Sequence, residues 1–201
     1  MRRRDSAHKP SPLTAMNISR TLYVAERKKW RAWLKKHYRT EQDIWMIYYR
    51  KNTGKPRIAY NDAVEEALCF GWIDSTVRKL DDERFAQRFS PRNPKSEYSQ
   101  TNKERLRRLI ADGKVMKDVL PTLGALSEDN FTIPPDILKA LKANQEAWKN
   151  FRKFPIEYQR IRISYIHHAR NRPEEFKRRL RNFVAKTEMN KQFGFGINKF
   201  Y

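Results

Sequence analysis

Seven residues, Asp43 to Tyr49 (DIWMIYY), constrain the fold of this chain more than any others. They are mostly β-branched or aromatic, the composition of a short buried strand. A strand needs neighbours, and Ile73–Lys79 and Arg84–Phe89 supply two. They flank Asp81-Asp82-Glu83 and read as a β-hairpin with an acidic turn. Between the strand and the hairpin, Arg50 to Pro56 is a turn or loop punctuated by Gly54 and Pro56.

Helices surround this strand-rich centre. A first is expected from Ser19 to about Tyr38, with Trp30, Trp33 and Leu34 on one buried face. Asn61 is read as the N-cap of a second, with Asp62, Glu65 and Glu66 in its first turns and Gly71 at its C-terminal end. Thr101-x-x-Glu104 fits a capping box for a third that Gly113 ends. Beyond Pro134 the pattern is helical throughout, with starts at Pro135, Asn144, Pro155 and Pro173. The fold class read from this is α+β: a small mixed or antiparallel sheet with packed helices, then a C-terminal bundle-like helical segment. The expected organisation is a disordered basic tail over 1–17, an α+β domain over 18–126, a helical region over 127–188 and a flexible aromatic tail over 189–201.

The charge is +21 over 201 residues, from 44 Lys and Arg against 23 Asp and Glu. It divides as +4 over residues 1–20, +9 over 21–120 and +8 over 121–201, so it belongs to the whole chain rather than to a tail. Such a field attracts polyanions without specificity. The most concentrated basic surface falls on the last helix, at Arg178, Arg179, Arg181 and Lys186. Aromatic residues make up 12% of the chain, a supply of large buriable side chains that argues against wholesale disorder. A single cysteine excludes a disulfide framework and a cysteine-based zinc site. No apolar run reaches a membrane span and the start carries no export signal, so a cytoplasmic location is expected.

Few residues carry chemistry. Cys69 lies among apolar neighbours and reads as a small buried hydrophobe, since a nucleophilic thiol needs a base and an exposed, positively polarised setting. His167 and His168 are adjacent and cannot share a metal across one helical turn, so no metal or cofactor is expected. Asp74 follows Gly-Trp-Ile at a strand start and needs a partner, for which Arg88, Arg92 and Lys51 are the candidates. It is read either as a buried salt bridge fixing the hairpin or as part of an anion-binding or reactive pocket. The stretch Arg88 to Asn102 has the same two readings, because its hydroxyls and guanidiniums suit an anion as well as a helix cap.

These segments resemble the YdeI/OmpD-associated family, also labelled bacteriocin-protection. The resemblance rests on Ala67-Leu68-Cys69-Phe70-Gly71-Trp72-Ile73-Asp74-Ser75, on Arg88-Phe89-Ser90-Pro91-Arg92 and on Ser96-x-x-Ser99-x-x-Asn102-x-x-Arg105. Downstream it rests on Ile133-Pro134-Pro135-Asp136 and Arg178-x-x-Arg181. It implies a bacterial accessory protein without a defined reaction, substrate or cofactor. Set beside the residue reading, this gives a non-enzymatic protein with a polar, anion-accepting pocket built from Lys51, Asp74, Arg88, Arg92, Ser99 and Asn102. Its partner would be a small anionic ligand or an unknown protein. A nucleic-acid-binding protein and an enzyme acting on a small anionic substrate remain the alternatives. Direct capture of a cationic bacteriocin is disfavoured, because a +21 surface repels it at long range.

Overall fold

The computed structural model describes residues 20–124, 126 and 131–200. The tail expected to be disordered over 1–17 lies outside them. The DIWMIYY run forms strand β2 (Ile44–Tyr49), and the acidic-turn hairpin forms β3 (Trp72–Lys79) and β4 (Arg84–Pro91). A two-residue strand, β1 (Thr21–Leu22), adds in parallel to β2. The sheet order is β1-β2-β4-β3, with every pairing but the first antiparallel. The architecture is α+β.

The expected helix from Ser19 is shorter than the spacing suggested. Residues 20–26 are not helical, because the Arg20 carbonyl accepts from Trp45 N–H and ties the segment to the sheet edge. Helix α1 then runs Arg27–His37 and α2 runs Tyr60–Cys69. Asn61 is not the cap of α2; that position is Ala59, and the Asn61 side chain instead accepts from Arg105 and donates to Asn198. Helix α3 (Gln100–Ala111) is capped by Ser99, whose hydroxyl accepts from Asn102 N–H. The expected capping box at Thr101 therefore falls two residues late, and Glu104 is buried in ion pairs with Arg107 and Arg160.

One sheet face carries Ile44, Met46 and Tyr48 of β2, Phe89 of β4 and Trp72 of β3. Against it pack Trp30 and Leu34 of α1, Ala63, Val64, Ala67 and Leu68 of α2, and Leu106 and Leu109 of α3. Trp30 stacks on Trp33 and meets Phe89 edge-on, and its indole N–H donates to the Ala63 carbonyl at 3.0 Å. Truncating such a side chain to alanine costs roughly 3–5 kcal/mol. On α2, buried Glu65 and Glu66 are surrounded by Arg27, Arg31, Arg108 and Lys199, which makes this acidic pair a structural knot.

A second core forms from α4 (Pro135–Lys142), α5 (Gln145–Phe151), α6 (Ile156–His167) and α7 (Pro173–Glu188). The start signals hold here: Asn144 accepts from Ala147 N–H, and α4 and α7 have Pro at their first position. The C-terminal segment expected to be flexible is docked. Ile197 and Phe200 are buried in this second core, and Lys199 pairs with Asp62 and Glu65 of the first unit. Burying two large apolar side chains offsets the entropy cost of ordering the segment.

Candidate functional site

The six residues expected to build one polar pocket fall into four places. Strand alternation separates two of them. Asp74 pairs in register with Phe89, so its side chain shares the helix-covered face, while the next residue along β4, Arg88, faces the other side. There Arg88 donates to Asp43 at 2.7 Å. Lys51 lies exposed in a 3₁₀ turn after β2. Arg92, Ser99 and Asn102 do come together, in a cleft of about 400 Å³ between the end of β4 and the start of α3. In it the Arg92 guanidinium sits 3.6 Å above the Tyr98 ring, and the α3 N-terminus adds its positive end. Ser99 and Asn102 are already engaged as the helix cap and as acceptor for Arg105.

Asp74 therefore has none of the cationic partners expected for it. It accepts instead from two neutral groups, the Tyr60 hydroxyl at 3.1 Å and the Gln87 amide at 2.7 Å. Burial pushes its carboxyl above the usual range, opposed by the Tyr60 hydrogen bond and the more distant Arg105 charge. The same burial, with Asp74 beside it, pushes the Tyr60 phenol up to about 12. Tyr48, stacked on Phe85 at 5.2 Å, has its phenol raised as well, chiefly by burial.

These groups surround a cavity of about 410 Å³, the space left where the helices stop covering the sheet. Tyr48 and Phe85 supply flat walls, and Asp74, Gln87, Tyr60 and Arg57 supply polar atoms. Phe195, from the docked C-terminal segment, stands at the rim 5.6 Å from Tyr60. The Tyr48 side chain is only 2% exposed, yet among the described residues its buried hydroxyl has no hydrogen-bond partner. Buried polar groups are nearly always paired, so an unpaired phenol in a cavity wall points to a ligand or water as its natural partner. No sequence signal identified Tyr48 or Gln87, because both read as ordinary strand residues until register placed them beside Asp74.

The remaining readings have clear structural outcomes. Cys69 is buried and its thiol is pushed up to about 11, mainly by burial, so it is held protonated. His167 and His168 are exposed and bonded within their own helix turn to Arg170 and Ser164. Among the described residues, no three His, Cys, Asp or Glu side chains group to hold a metal, and no helix is long and apolar enough to cross a membrane. On α7, Arg178 and Arg179 share Glu175, Arg181 is exposed and Lys186 is half-buried, so the basic surface is present but partly neutralised.

Comparison with known families assigns the two units differently. Residues 130–190 match the family described as Bacteriocin-protection, YdeI or OmpD-Associated, which carries the resemblance seen at Pro134-Pro135-Asp136 and Arg178-x-x-Arg181. Residues 22–121, including Tyr48, Tyr60, Asp74 and Gln87 and the ALCFGWIDS segment, match a domain of unknown function (DUF8412). No curated protein and no solved structure matches the chain.

Proposed function

We propose that this is a non-catalytic bacterial accessory protein of the YdeI/OmpD-associated kind, working in the cytoplasm, that binds a small planar ligand in the Asp74 cavity. The match over residues 130–190 supports the accessory role. The unpartnered Tyr48 hydroxyl, buried beside a carboxylate that has only neutral donors, is the observation that carries the binding site. Asp74 accepts, Tyr48 donates or accepts, and the Tyr48 and Phe85 rings enclose a flat molecule. A ligand presenting N–H groups to Asp74 fits this set better than an anion does.

A second reading keeps the anionic ligand and moves it to the Arg92 cleft, where the guanidinium over Tyr98 and the α3 N-terminus both favour negative charge. Thermal-shift titration with benzamidine, cytosine and benzoate separates the two. The Asp74 site predicts stabilisation by the donors benzamidine or cytosine, lost in Asp74→Asn and Tyr48→Phe. Stabilisation by benzoate alone, lost in Arg92→Gln, would transfer the site to the cleft.

A further inference from the structure

The Asp74 cavity holds a cation as well as an acid. Arg57 enters its wall from the segment between β2 and α2, beside Ile58. The two charges are not paired with each other. Arg57 donates through Nη1 to the Tyr49 carbonyl at 3.3 Å, and among the described residues it has no acidic partner. Asp74 takes its hydrogen bonds from Tyr60 and Gln87 on one oxygen, Oδ2. Its Oδ1 and the remaining Arg57 N–H groups therefore keep hydrogen-bonding capacity at the cavity wall.

The Tyr48 hydroxyl feels both charges. Burial raises its phenol most, Asp74 and Tyr60 raise it further, and Arg57 lowers it. Apolar faces complete the enclosure, with Tyr48 and Phe85 on the sheet, Ile58 beside Arg57 and Phe195 at the rim. A space of about 410 Å³ falls within the roughly 300–1,000 Å³ of small-molecule sites. An acid and a guanidinium in one cavity select against singly charged ligands. A plain cation drawn to Asp74 is repelled by Arg57, and a plain carboxylate drawn to Arg57 is repelled by Asp74. A molecule with both charges satisfies both residues, and the guanidinium fork suits a carboxylate in particular.

We propose that the ligand of the Asp74 cavity is a zwitterionic amino acid with an aromatic side chain. Its ammonium donates to Asp74 Oδ1, its carboxylate accepts from Arg57, and its ring, the flat part of the molecule, lies against Tyr48, Phe85 and Phe195. This rests on the Asp74 cavity being the binding site and adds the class of molecule it holds. The test is calorimetric titration of the full chain with phenylalanine, phenethylamine and hydrocinnamate, at about 0.15 M salt to screen the general surface charge. Benzamidine serves as the probe of the cavity itself. Phenethylamine lacks only the carboxylate and hydrocinnamate only the ammonium. Phenylalanine is expected to bind at least about tenfold more tightly than either, the worth of one charge-assisted contact. Its advantage over phenethylamine should vanish in Arg57→Gln, and its advantage over hydrocinnamate in Asp74→Asn. The second variant decides if circular dichroism shows that the first fails to fold. Phenylalanine binding no tighter than either analogue, while benzamidine still binds, overturns the proposal and leaves the cavity as a binding site. So does either advantage persisting in its folded variant. Failure of all four compounds to bind overturns the cavity reading as well.

Discussion

The Tyr48 hydroxyl carries a desolvation cost that no partner among the described residues repays. Tyr48→Phe removes that cost and keeps the ring stacked on Phe85, so it should leave stability unchanged or raise it by up to about 1–2 kcal/mol in urea unfolding. A loss of stability would mean that the hydroxyl has a structural partner. Asp74 behaves in the same sense through pH. Its carboxyl is raised in the fold above the ordinary value of 3.8, so the folded state holds the proton to higher pH than the unfolded chain does. Stability attributable to this residue is therefore highest below the unfolded value and falls as pH climbs past it. Asp74→Asn should be more stable than wild type at neutral pH, with the gap closing as pH approaches the unfolded value from above. A gap independent of pH would contradict the assignment. Both residues trade stability for an open polar wall, as binding sites commonly do.

At the scale of elements, the legible parts were those with local signals. β2 announced itself by composition, the β3–β4 hairpin by its acidic turn, and α4, α5 and α7 by Pro and Asn at their starts. β1 was illegible because two residues held by the edge of β2 carry no periodicity. The site failed to read for a related reason. Asp74 and Arg88 look adjacent in a hairpin, but only the pairing of Asp74 with Phe89 reveals that they point to opposite faces. The cap of α3 illustrates a smaller slip: Ser99 and Thr101 both satisfy the local rule, and the chain uses the earlier one. Ser99→Ala should cost about 1 kcal/mol, read by chemical denaturation, while Thr101→Ala should cost little. The docked C-terminal segment gives a sharper test. Gly194→Ala introduces both a strained φ and the contact with Ile197, so amide exchange should quicken over residues 193–200 while the sheet stays protected. Unchanged exchange there would show that the segment tolerates a Cβ and that its close approach is not needed.

Over the whole molecule, two cores are tied together by a few polar side chains rather than by a continuous apolar interface. Arg105, only 4% exposed, is the centre of that tie. From α3 it donates to Asn61 of α2, to Asn102 on its own helix and to the Gly196 carbonyl of the C-terminal segment. Arg105→Met should cost on the order of 3 kcal/mol, because it leaves three acceptors without their donor, and should free the C-terminal segment before either core melts. The tie also places Phe195 at the rim of the Asp74 cavity, so the docking of one short segment shapes the site. The +21 charge sets the background against which any ligand must be measured, while the specific chemistry sits in a cavity whose central residue is an acid with neutral partners. Chemical-shift mapping of the full chain with benzamidine tests that claim most directly. Saturable shifts are expected at Tyr48, Tyr60, Asp74 and Gln87, and they should be lost in Tyr48→Phe. Shifts confined to the Arg92–Tyr98 cleft, or none at the four cavity residues, would contradict it.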